Sequence, residues 1–259
     1  MPELISYHEA GSGPPLILVH GDFSDGRGTW ARQMESLAAH HRLIVVDRRG
    51  HGTSPREPRP YTIAGDAADV LAVADRAGAD RFHLAGHSYG GLVAIEVARR
   101  AAARVRSLHL VEPPYLALLP GHPAVASLNT RGREIHRRAS AWGPDRTAEA
   151  FFAMIAGEDG LARLRSGEGW PALLREAGRI AEAEFPADYP PEAIGELSPP
   201  PPVVVYTGGR SHAGLQALAR HLAGMVPGAQ LVEVPAANHA VQRSGCPFDH
   251  ALLAVTTSV

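Results

Sequence analysis

The chain has 259 residues, 45% apolar and 20% charged, which fits one α/β domain carrying an insertion and excludes global disorder. Its net charge of −2 gives no electrostatic reason to expect nucleic acid or an anionic membrane as partner. All 25 basic residues are arginine, which excludes lysine-based catalysis, and the single cysteine, Cys246, excludes an intrachain disulfide or a multi-cysteine metal site.

Short apolar runs bounded by turn residues alternate with helical patterns along the chain. Residues 3–8 alternate in polarity and suggest an antiparallel edge strand. Runs at 16–19, 43–46, 82–85, 108–111, 203–206 and 231–234 have the continuous apolar character of strands buried on both faces. Helical patterns cover 30–38, 63–77, 90–102, 212–225 and 248–255. Strand, crossover helix and strand in repetition predict an α/β fold with a mostly parallel sheet flanked by helices. From about 113 to 202 no strand pattern occurs, only helical ones at 148–155 and 173–184, ending in Pro199-Pro200-Pro201-Pro202. So long a connection is too large for a plain loop. It predicts a helical cap over 114–201, with a core formed by 1–113 and 202–259.

Gly86-His87-Ser88-Tyr89-Gly90-Gly91 follows one expected strand and precedes a helix. That context matches the nucleophile elbow, a turn so tight that its serine sits on a strained backbone and its neighbours must be small. A glycine-rich turn without chemistry would share the letters; the strand before and the helix after favour the catalytic reading. Ser88 is therefore the expected nucleophile, with the Tyr89 N–H at the helix start facing a developing oxyanion.

His20-Gly21-Asp22-Phe23 directly follows the run 16–19. From here the chain resembles the α/β-hydrolase family, in which a His-Gly pair at this place opens the oxyanion loop. Asp47-Arg48-Arg49-Gly50-His51-Gly52-Thr53-Ser54 and His239, after the last expected strand, extend the likeness from about Leu16 to the C-terminus, the insertion excepted. The resemblance implies that the Asp22 N–H is the second oxyanion donor, that His20 braces the loop, and that His239 is the general base. The acid departs from the pattern. The loop after the penultimate strand reads Thr207-Gly208-Gly209-Arg210-Ser211-His212, with Ser211 where an Asp is expected. In a subset of the family the acid follows the strand after the nucleophile helix, and here that position is Glu112, ahead of Pro113-Pro114. Asp47 and Asp249 are the weaker alternatives.

A serine nucleophile points to attack on a carbonyl, so the expected activity is cleavage of an ester or lactone through an acyl-enzyme. The expected substrate is a medium-sized, mostly apolar small molecule, bordered by Phe23, Tyr115 and Leu116. Leu118, Leu119, Trp142, Phe151, Phe152, Met154 and Trp170 supply either pocket lining or the interior of the cap. Arg133, Arg137 and Arg138 could meet an anionic group or form a solvated helix face. The rivals are a lyase, cyclase or C–C bond hydrolase on the same scaffold, and a ligand-binding pseudoenzyme, which the absent acid at Ser211 keeps open. No cofactor, metal, nucleic acid or membrane is expected, and a homodimer stays open. The N-terminus shows no secretory pattern and no apolar run reaches roughly 18 residues, so a cytoplasmic location is expected.

Overall fold

The structure, a computed structural model, describes residues 3–57 and 60–258. Residues 1, 2, 58, 59 and 259 of the expected core ranges therefore lie outside the described residues. Seven strands form one sheet: β1 Tyr7–Ala10, β2 Pro15–Val19, β3 Arg42–Val46, β4 Phe82–His87, β5 Val105–Val111, β6 Val203–Gly208 and β7 Gln230–Val234. Their order is β1-β3-β2-β4-β5-β6-β7, and every neighbouring pair is parallel except β1 with β3. The antiparallel edge strand is thus present, but it spans Tyr7–Ala10 and not 3–8. Pairing decides this shift, because Tyr7 to Ala10 are the residues that face Val46 to Leu43 of β3.

Helices α1 Gly26–Ser36, α2 Ile63–Arg76, α3 Tyr89–Arg100, α6 Ala213–Met225 and α7 Cys246–Thr256 cover the sheet. Leu16, Leu18, Leu43 and Val45 pack with Trp30 of α1 and Phe248 of α7, while Ile17, Val19, Ile44 and Val46 pack on the other face with α2 and α3. Consecutive strand residues therefore bury to opposite sides, which is why these runs are apolar throughout. Helix α1 begins four residues earlier than its apolar pattern suggests. The Asp25 carboxylate accepts from Gly28 N at 2.5 Å, a polar cap that apolar periodicity does not register.

Between β5 and β6 the chain is helical, with α4 Pro123–Arg165 and α5 Trp170–Ala177. Gly143 (φ 76°) and Gly157 (φ 70°) interrupt α4, so the long element is three helices in series. The expected second helix of this stretch ends sooner than 184: α5 stops at Ala177 and a 3₁₀ turn, Gly178–Ala181, follows. The insertion meets the sheet's loops through Phe23, whose ring stacks on Phe151 at 4.4 Å and lies edge-on to Phe152 at 5.2 Å. No described helix is long and apolar enough to cross a membrane.

Candidate active site

Ser88 sits between β4 and α3 with φ 52° and ψ −124°, a left-handed strain for a non-glycine residue. The bend is held by Ser88 N donating to Val111 O at 2.8 Å and Gly91 N donating to Ser88 O at 2.8 Å. Only glycine fits beside it. A Cβ at Gly86 would stand 2.2 Å from the Gly90 carbonyl oxygen, and one at Gly90 would stand 2.5 Å from the carbonyls of Val19 and His20. The loop after β2 lies against this bend, since a Cβ on Gly21 would come within 2.8 Å of Ser88 Cβ. Among the described residues, neither the Asp22 nor the Tyr89 N–H donates a hydrogen bond, so both donors are free.

His20 ties that loop to the one after β3. Its Nε2 accepts from Arg48 N at 2.9 Å, which assigns the other proton to Nδ1, donated to Gly21 O at 2.6 Å. Burial, then the neighbouring Arg48 and His51, hold His20 well below its ordinary pKa and keep it neutral.

His239 follows β7 and is half-buried. Its Nδ1 lies 2.7 Å from Glu112 Oε2. Glu112 is fully buried at the end of β5, with φ 45°. Its other oxygen, Oε1, accepts from Thr207 Oγ1 at 2.7 Å and Gly208 N at 2.9 Å. Burial pushes the Glu112 carboxyl up, but the His239 ring and the Gly208 N–H outweigh it, so the group titrates below the usual carboxylate range. The Ser211 hydroxyl adds to this without lying in hydrogen-bonding geometry. The loop where an Asp was expected thus holds the carboxylate of a neighbouring strand.

The two rival acids are engaged elsewhere. Asp47 accepts from Gly26 N, Thr53 N and Thr53 Oγ1, and Asp249 accepts from Gln33 Nε2. Ser88 Oγ and His239 Nε2 share no hydrogen bond, yet both residues border the same two cavities. Such bonds commonly tighten only with substrate in place.

One cavity, of about 70 Å³, is lined mainly by apolar side chains including Leu116, Leu128 and Met154. The other, of about 440 Å³, has Phe23 on its wall together with polar groups such as Asn238 and Arg243. Phe23 and Leu116 therefore border cavities that Ser88 and His239 also line, and Tyr115 does not. It is fully buried against Tyr189, and its hydroxyl donates to Pro190 O, because the turn after Pro113-Pro114 sends it into the interior. Arg133 pairs with Asp188, and Arg137 and Arg138 with Glu134, so that cluster is a solvated helix face.

Sequence reasoning missed two supporting residues. His87 Nε2 donates to His239 O at 3.1 Å, and its ring packs 4.8 Å from that of His239, steadying the loop that carries it. Arg48, inside a motif read only for its family likeness, is buried beneath the loop after β2. Two consecutive arginines just after an apolar strand, with an acidic residue in the loop after the preceding strand, were the available signal.

The model of the alpha/beta hydrolase family matches residues 16–255. The chain belongs to the alpha/beta hydrolase family. Two relatives carry the name "Putative carbamate hydrolase RutD". The protein of Klebsiella pneumoniae (strain 342) is 27% identical over 88% of this chain and 85% of its own length. That of Azorhizobium caulinodans is 42% identical, but the match spans 40% of this chain and 39% of the relative. An alpha/beta hydrolase from Sphaerobacter thermophilus DSM 20745 superposes with TM-score 0.68 at 27% identity, covering 98% of this chain and 96% of that one. A thermophilic esterase from Thermogutta terrifontis gives TM-score 0.69 at 25% identity, over 97% of this chain and 93% of the esterase.

Proposed function

We propose that this alpha/beta hydrolase cleaves a carboxylic ester or lactone through an acyl-enzyme, with Ser88 as nucleophile, His239 as general base and Glu112 as the acid. One observation carries the reading: a buried carboxylate held 2.7 Å from Nδ1 of the histidine that shares two cavities with a strained serine. Ser88 Oγ attacks the carbonyl carbon while His239 Nε2 takes its proton, and the N–H groups of Asp22 and Tyr89 receive the negative oxygen. His239 returns the proton to the leaving alkoxide, and water then releases the acid by the same steps in reverse. Glu112 keeps the Nδ1 proton in place and offsets the imidazolium charge. The insertion acts as the cap that closes the apolar side of the site, and the cavity lining supports a mostly apolar substrate.

Incubation with a fluorophosphonate and assay on nitrophenyl esters of graded chain length test this. A covalent adduct on Ser88 with ester turnover is expected, and Ser88→Ala should lose both, with turnover down by about 10⁴-fold or more. Labelling without turnover of esters, lactones or carbamate esters would favour a non-hydrolytic reaction. A folded protein that neither labels nor turns over would leave the ligand-binding reading. A cytoplasmic location and a homodimer are part of the same proposal, tested by fractionation and by sedimentation.

A further inference from the structure

The Arg48 side chain touches both halves of the oxyanion hole. Its Nη2 donates to Asp22 Oδ1 at 2.6 Å and to Gly21 O at 3.2 Å, and its guanidinium carbon lies 4.5 Å from the centre of the Tyr89 ring. Nη1 is anchored to Asp66 Oδ2 at 3.1 Å, and Arg48 N caps His20 Nε2. Asp22 and Tyr89 carry the two N–H groups assigned to the oxyanion, and the Asp22 residue borders both cavities. A free carboxylate there would oppose the negative charge that builds on the carbonyl oxygen. We propose that Arg48 is a positioning residue that clamps the Asp22 and Tyr89 donors in register and neutralises the Asp22 carboxylate beside the oxyanion.

The proposal rests on the acyl-enzyme reading. Its two tasks separate by substitution. Without Arg48, Asp22 is both released and unneutralised; with Asn at position 22 as well, the charge is gone. Arg48 borders neither cavity, so the effect of removing it belongs in kcat and not in KM.

The test uses the full chain, a nitrophenyl ester and Ser88→Ala as blank. Arg48→Met should lower kcat by about 10²-fold with KM changed less than threefold, the size of losing one oxyanion donor. Asp22→Asn combined with Arg48→Met should regain about tenfold of that loss, a rescue that a purely structural role would not give. Folded Arg48→Met with kcat within threefold of wild type, or a double variant no better than the single, would overturn the clamp.

Arg48 also pairs with buried Asp66, so Arg48→Met can fail to fold. The decision then passes to Asp22, whose side chain is partly exposed. Asp22→Ala, which removes the side-chain acceptor of Nη2 at position 22, should show kcat at least tenfold below Asp22→Asn at similar KM; equal values would overturn the clamp. Wild-type protein that neither turns over esters nor labels at Ser88 would overturn the hydrolase reading and the clamp with it. Turnover with a flat variant series would overturn the clamp alone.

Discussion

In the proposed acyl-enzyme reaction Glu112 is the residue on which the chemistry turns, because it stands in for the acid that the Ser211 loop does not supply. Its replacement by Gln preserves shape and lets the amide accept or donate, so His239 can settle in the wrong tautomer. Glu112→Gln should lower kcat by about 10⁴-fold with little change in KM, measured on the ester that wild type turns over best. Removing a neighbour that only holds the carboxylate costs less. Thr207→Val takes away one of its donors and should reduce kcat by about tenfold. The pH behaviour has a definite sign. The folded carboxyl titrates below its ordinary value of 4.5, so its stabilising contribution is complete above that pH and is lost as pH falls through the folded value.

At the scale of elements, strand ends present the chemistry and helices fix its limits. β4 delivers Ser88, β5 delivers Glu112, and the loop after β7 brings His239 back across β6, so the three arrive from a short stretch of one sheet edge. The insertion joins them through α4, whose Phe151 borders both cavities and stacks on Phe23. Phe151→Ala removes an apolar ring that borders both cavities. The expected result is a KM raised about threefold to tenfold for bulky apolar esters, with a smaller change in kcat; a kcat loss at constant KM would contradict this placement.

For the whole molecule the unusual feature is the number of histidines kept neutral inside. His20, His41, His51, His83, His87, His109 and His212 are all shifted below 6.5, burial being the first cause in each. In the sheet interior His83 Nδ1 meets Ser107 Oγ at 2.8 Å, Ser107 meets His109 Nε2 at 2.9 Å, and His109 Nδ1 meets Tyr206 Oη at 2.8 Å. His83 is held at about 4 and His109 at about 3. The unfolded chain takes up these protons near 6.5 while the folded one does not, so stability is full above that pH and falls as pH drops toward 4. Asp66 and Glu176 work the other way, their carboxyls raised by burial, that of Asp66 to about 6, but they are two groups against seven. Urea denaturation should therefore show a lower unfolding free energy at pH 5 than at pH 7.5, and equal or greater stability at pH 5 would contradict it.

The parallel sheet, its order of strands and helices, the bend at Ser88 and the loop carrying His239 could be read from the chain alone. Each depends on local rules: continuous apolar runs for two-sided burial, and Gly86 and Gly90 where no Cβ fits. The resemblance from Leu16 onward added the oxyanion loop and pointed to Glu112. Only the tertiary structure decided that Glu112 reaches His239, with Thr207 and Gly208 holding its second oxygen, because that contact joins residues 127 apart in sequence. It also decided that Tyr115 turns inward, that the edge strand is Tyr7–Ala10, and that Arg48 lies beneath Asp22. Local propensity describes a residue's own backbone. Which side chains share a buried space follows from how distant segments pack, and a charge such as Arg48 shows its role only once its partners surround it.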